Sequence, residues 1–449
     1  MKGYFSRYIS HYRDTARLGI PIVLGQVGIV AVGFADNIMV GRYATSDLAA
    51  SSFVNSVFNL PLLFGIGFSY GLTPLVGRLS GRGEGARAGG VLRDGLLANG
   101  AVGVVLSLLM WLVYANVGRM GQPVELLPLI RPYFLLQLSS LLFVMGFNAF
   151  KQFADGIRDT VTPMWIMLGG NVLNVAGNFV LIYGAFGCPA LGLTGAGIAT
   201  LAVRVMTLAA FVLVFCFRPS YRPYRESFRA AGRRARHVLE LGRMGVMVGA
   251  QMGMETALFS LTGVMVGWLG AVELAAHQVA TTLSTLGFMI YYGVGAAVSV
   301  RVSHFLGRRD MTGVRRASTA GFHLIGGLTL VASLFFLASR GWIGELFTSE
   351  AAVLARVETL IVLLAAFQFG DGLQVTYANA LRGIADVTPL VVLSFVGYFL
   401  VALPVSYLAG FPFGGGLPGV WAGYPVGLTL AGLMFRARYY RRLRQLEGR

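Results

Sequence analysis

The chain has 449 residues, 56% of them hydrophobic and only 12% charged, with a formal net charge of +17. Its mean hydropathy of +0.70 excludes an ordinary water-soluble domain. Apolar segments of about 20 residues recur where a β-barrel would alternate over about ten, so the fold class is all-α and polytopic.

The start, MKGYFSRYISHYRDTARLG, is basic and amphipathic and runs directly into the first apolar segment. No A-x-A-type cleavage site follows, so that segment is expected to remain in the mature protein. Twelve spans are predicted, over 18–42, 48–77, 94–117, 125–150, 161–184, 192–217, 244–269, 274–300, 317–339, 352–380, 387–410 and 417–435. Pro21 is expected in the first turn of span 1 or at a kink within it. Counted alternately from the N-terminus, the segments on one side of these spans hold 30 of the 36 Lys and Arg. The other side holds 5, and Arg204 lies inside span 6. Basic residues mark the cytoplasmic face, which puts both termini there and sets the charge against anionic lipid rather than nucleic acid. Cys188 and Cys216 fall on opposite sides and cannot pair within the chain.

The chain repeats. Met39-Val-Gly-Arg-Tyr-Ala-Thr-Ser-Asp-Leu-Ala-Ala50 aligns without gaps to Met265-Val-Gly-Trp-Leu-Gly-Ala-Val-Glu-Leu-Ala-Ala276, an offset of 226 with six of twelve positions identical. Gly156-Ile-Arg-Asp-Thr-Val-Thr-Pro163 matches Gly383-Ile-Ala-Asp-Val-Thr-Pro389 with one residue of slippage. The expected organisation is an N-terminal six-helix lobe over 1–217, an Arg-rich cytoplasmic linker over 218–243 and a C-terminal six-helix lobe over 244–449. Six spans per half preserve orientation, so the halves form parallel repeats, a scaffold suited to alternating access.

Three acids, Asp36, Glu255 and Asp371, fall inside apolar spans; the other 16 are read as lying in loops or at helix ends. A charge at bilayer depth costs at least about 2.5–3.5 kcal/mol and marks function unless a partner neutralises it. Shifted by 226, the three land on Thr262, Ile29 and Met145, so none has an acidic counterpart in the other half. A carboxyl there can bind a proton, hold Na⁺ with neutral oxygens, or attract a cationic organic molecule. Asn174 and Asn178, four apart on span 5, and Thr200 on span 6 are candidate companions of Asp36. Arg204 is expected to pair with an acid or line an inward cavity. In the second half, Gln251 precedes Glu255 by one turn, and Gln368 and Gln374 flank Asp371 at i±3. Phe367, Phe288, Tyr291 and Tyr292 could stack on a flat cation. For all of these, helix packing and buried hydrogen bonding are the alternative. Gly67-Phe-Ser-Tyr-Gly71 matches a nucleophile pattern, yet it lies in a span with no preceding strand, so no enzyme is expected.

Gly33-Phe-Ala-Asp36-Asn-Ile-Met-Val-Gly41, Ala275-Ala-His-Gln-Val279, Gly295-Ala-Ala-Val-Ser-Val-Arg301 and Asp371-Gly-Leu-Gln-Val375 leading to Leu381-Arg-Gly383 resemble the multidrug and toxic compound extrusion (MATE) family, in its NorM-like branch. The resemblance implies twelve helices in two six-helix lobes around a V-shaped cavity. It also implies export of small cationic lipophilic compounds in exchange for Na⁺ or H⁺. Asp36 matches the family's first-helix acid, Glu255 and Asp371 match its second-lobe cation site, and Asn174 and Asn178 match polar positions of the fifth helix. Where DinF-like members carry Asp, this chain has Asn178; where some NorM-like members have Tyr, it has Phe367. No cofactor beyond the coupling ion, no nucleic acid and a monomer in the bacterial inner membrane are expected. The rival is a lipid-linked-precursor flippase of the MurJ kind, which would need a cationic cavity; three mid-span acids to one Arg favour a cationic cargo.

Overall fold

The computed structural model describes residues 7–230 and 235–448. Twelve long helical segments account for the predicted spans: α1 Ile9–Tyr43, α2 Thr45–Gly81, α3 Ala88–Ala115, α4 Leu127–Gly156, α5 Val161–Tyr183 and α6 Gly192–Phe217 in the first half. The second half has α7 Ala235–Gly267, α8 Ala271–Gly307, α9 Met311–Ser339, α10 Ala351–Gly383, α11 Thr388–Gly410 and α12 Gly416–Glu447. Ten are long and apolar enough to cross a membrane by composition. The other two, α7 and α12, are diluted by polar residues but are 33 and 32 residues long.

Seven helices run well past the apolar stretch that revealed them, always at the Arg-rich end: the starts of α1, α3, α7 and α9 and the ends of α4, α8 and α12. Apolar counting sees only the part that needs lipid, whereas backbone hydrogen bonding carries a helix on through charged residues. One consequence corrects the first-turn expectation for Pro21: α1 begins at Ile9, so Pro21 lies in its interior. Proline acts visibly in α2, which is broken at Tyr70 and Gly71. Pro74 has no N–H to give Tyr70 and its ring crowds that carbonyl.

The chain forms two compact units, Leu24–Gly249 and Met1–Val23 with Ala250–Arg449. These cuts differ from the lobe boundaries read at 217 and 244, because α1 and α7 each change unit along their length. In the second unit the start of α1 packs on α8: a Cβ on Gly293 would stand 2.8 Å from the Val23 backbone nitrogen. Arg301 of α8 donates to the His11 carbonyl and to Thr15 Oγ1, both at 2.7 Å.

The stretch read as a linker is largely structured within the first unit. A nine-residue helix, Arg222–Ala230, lies so close to α3 that a Cβ on Gly89 would meet the Tyr224 carbonyl oxygen at 1.8 Å. Tyr221 donates to Asp159 at 2.8 Å, and burial beside that carboxylate pushes the phenol well above its usual range. Residues 231–234 lie outside the described residues.

Candidate ion and substrate site

In the first unit the predicted companions of Asp36 converge on it. Asn174 and Asn178 are one turn apart on α5 and both buried. Asn178 Nδ2 donates to Asp36 Oδ1 at 2.5 Å and to Asn174 Oδ1 at 3.2 Å; Asn174 Nδ2 donates to Thr200 Oγ1 of α6 at 3.4 Å. Three helices are thus joined by one polar ladder ending on a carboxylate. Helix α5 can supply it because i and i+4 share a face. Arg204, expected to pair with an acid or line a cavity, donates to Gln137 Oε1 at 2.8 Å and to Ser140 Oγ. Gln137 in turn donates to the Tyr133 hydroxyl at 2.9 Å. A guanidinium has five donors in a fixed fork, and two acceptors on α4 engage it without a carboxylate.

In the second unit Glu255 of α7 accepts from two amides, Gln251 Nε2 and Gln374 Nε2, each at 3.1 Å. Gln251 Oε1 accepts from Arg382 Nη2 at 2.5 Å. Arg382 was assigned to an inter-span segment; it lies in the last turn of α10 and is 4% exposed. Asp371, one turn before Val375 on α10, is 1% exposed and within electrostatic reach of Glu255. The surroundings of this acid pair are rich in buried polar atoms without a hydrogen bond: Asp371 Oδ2, Gln374 Oε1, both amide atoms of Gln368 and the Tyr291 hydroxyl. Gln368 Oε1 and Tyr291 Oη both approach Gly287, where a Cβ would stand 2.9 and 3.4 Å from them. Buried polar atoms are nearly always satisfied, so such a concentration marks a place for water or an ion. The free donor set is carboxylate, amide and phenol oxygen, which suits a hard monovalent cation or a hydrated proton site.

Three of the four candidate stacking rings are buried. Tyr291 and Phe367 are 1% and 2% exposed, their faces covered by neighbours. Tyr291 sits in an apolar cluster with Val294, Ile325 and Val375, and Phe367 lies edge-on to Tyr424 at 6.0 Å. Tyr292 is also buried; of the four rings, Phe288 alone is half-buried, 5.5 Å from Tyr292. The reading that all other acids lie in loops or at helix ends is corrected. Asp94 lies within α3 at 1% exposure beside His237 at 3.4 Å; Asp155 does lie at a helix end, that of α4, but is 3% exposed and held by Lys151 at 3.0 Å. Ser69 of the nucleophile-like pattern donates to Asn99 Oδ1 and the Gly65 carbonyl, neither of them a base.

The MatE family profile matches residues 21–180 and 248–408. The chain belongs to the MatE family. The two matched stretches begin 227 residues apart, beside the offset of 226 read from the repeat. "Multidrug resistance protein NorM" of Photobacterium profundum is 30% identical over 453 residues, covering 96% of this chain and 95% of that one. "Probable multidrug resistance protein NorM" of Xanthomonas campestris pv. campestris is 32% identical over 443 residues, covering 98% and 96%. Among solved structures, a MATE in the straight conformation superposes with a TM-score of 0.90 at 19% identity, covering 98% of this chain and 97% of that one. The Vibrio cholerae MATE transporter VcmN in the bent form superposes with a TM-score of 0.85 at 18% identity, covering 97% and 98%. At these identities the structures establish the fold: twelve helices in two six-helix lobes. The MatE chain is a multi-pass membrane protein with bacterial relatives.

Proposed function

We propose that this MatE chain is a cation-coupled antiporter that exports small cationic amphipathic compounds by alternating access across a bacterial inner membrane. The observation that carries the reading is the Glu255–Asp371 pair at mid-span, Asp371 buried and Glu255 half-buried, among polar atoms that lack partners. Two carboxylates so close in a low-dielectric setting repel each other unless a cation or a proton joins them. Ion binding there and drug binding elsewhere in the protein would then favour opposite access states, which couples the two fluxes. The relatives' printed description as multidrug resistance proteins supports the cargo class.

The coupling ion is Na⁺ or H⁺, and no further cofactor is needed. The working unit is a monomer, with membrane lipid and small cations as its partners and no nucleic acid. Both termini face the cytoplasm, on the side where 30 of the 36 Lys and Arg gather. The test is transport: proteoliposomes holding the purified chain should move a cationic dye when a Na⁺ or proton gradient is imposed. Glu255→Gln and Asp371→Asn should stop that movement; exchange that survives both would overturn the assignment.

A further inference from the structure

Among the described residues α11 alone contains a π segment, Val396–Ala402. A π turn accommodates an additional residue by i→i+5 bonding and recurs at functional sites. Its local cause is Pro404, which has no N–H and whose ring crowds the carbonyl of Leu400 inside the widened turn. The segment is held firmly against α12. A Cβ on Gly427 would stand 2.3 Å from Ala402 Cβ and 2.8 Å from the Gly397 carbonyl oxygen, and one on Gly397 would stand 2.8 Å from Ala431 Cβ. Only glycine allows that approach.

The widened turn carries Tyr398, which is 0% exposed. Its hydroxyl approaches the Ser394 and Gln251 side chains and lies in the field of Glu255 and Asp371, yet neither approach closes a good hydrogen bond. Ser394, one turn earlier, is also fully buried with its Oγ unpaired. Phenylalanine would fill the same volume without a stranded O–H, so packing does not account for the oxygen.

We propose that Tyr398 is a neutral oxygen ligand for Na⁺ in the Glu255–Asp371 site, presented to it by the π segment of α11. This rests on the reading of that acid pair as the coupling-ion site. With Na⁺ bound, the phenol oxygen lends it a lone pair.

The experiment uses the full chain carrying Tyr398→Phe, in proteoliposomes and in detergent, beside the wild type and Glu255→Gln. The half-saturating Na⁺ concentration for dye exchange should rise about tenfold, and the Na⁺-dependent increase in Tm should shrink in step. Dye affinity and Tm in Na⁺-free buffer should stay at wild-type values, whereas a packing defect would lower Tm there too. Wild-type Na⁺ dependence in Tyr398→Phe overturns the ligand assignment, as does a wild-type protein whose exchange ignores Na⁺. In either case the antiporter reading survives if a proton gradient drives exchange and Glu255→Gln stops it. If Glu255→Gln exchanges normally, the reading and the ligand assignment fall together.

Discussion

The acid of the first unit and the acid pair of the second sit in opposite surroundings. Asp36 ends a ladder in which Asn178, Asn174 and Thr200 each donate or accept in turn, and Arg204 is engaged elsewhere by Gln137 and Ser140. Around Glu255 and Asp371 the amide nitrogens of Gln251 and Gln374 both donate to Glu255, and Gln251 Oε1 accepts from Arg382. Asp371 Oδ2, Gln374 Oε1, Gln368 and Tyr291 are left unpaired. The first arrangement leaves one buried oxygen, Asn178 Oδ1, without a hydrogen bond; the second leaves five such atoms. Duplication supplied the same scaffold twice, and divergence at a few positions made one copy a largely satisfied network and the other an incomplete coordination shell.

Four substitutions would break or sharpen that contrast. The largest effect is expected from Asp371→Asn, which removes one charge of the incomplete shell. Gradient-driven dye exchange in proteoliposomes should fall more than about 100-fold while dye binding persists, since mid-span charges are kept for function. Next comes Asn178→Leu, which strips Asp36 of its donor in a buried ladder. Stability should drop by about 1–3 kcal/mol, read as a lower Tm in detergent. An unchanged Tm would show that the ladder adds nothing to stability. Smaller still is Arg382→Met, which takes a buried positive charge away from Gln251 and the acid pair. The half-saturating driving-cation concentration should fall about threefold, the sign expected when a like charge near a cation site is removed. A rise would mean that Arg382 chiefly positions Gln251. The smallest change is expected for Arg204→Gln, whose partners are neutral groups on α4. Exchange should stay within about threefold of wild type, and a collapse would tie Arg204 to Asp36 after all.

Much of this was legible in the chain. The twelve spans, the repeat and the three misplaced acids can be read from apolar run length and from charge, because a bilayer tolerates few alternatives. The Asn174–Asn178 face and the Gln251–Glu255 face follow from helical periodicity. The helix overhangs were not legible, since polar residues extend a helix without leaving an apolar signal. Nor were the buried Asp94 and Asp155, which lie at the rim of their apolar runs and look solvated until His237 and Lys151 are seen beside them. Tyr398 went unnoticed as one aromatic among many in an apolar span. Pro404, six residues later, was the available signal that the helix turns irregularly there.

Sequence by itself determined the class, the number of spans, the duplication and the identity of the acids, because hydrophobic length and charge cost act on each segment independently of its neighbours. Only tertiary structure decided which polar atoms are satisfied. Whether Asn178 meets Asp36, whether Gln368 meets anything, and where the Tyr398 hydroxyl points depend on helix rotation and on glycine-permitted approach such as that of α11 to α12. Those are set by packing between segments far apart in the chain, and no single segment encodes them.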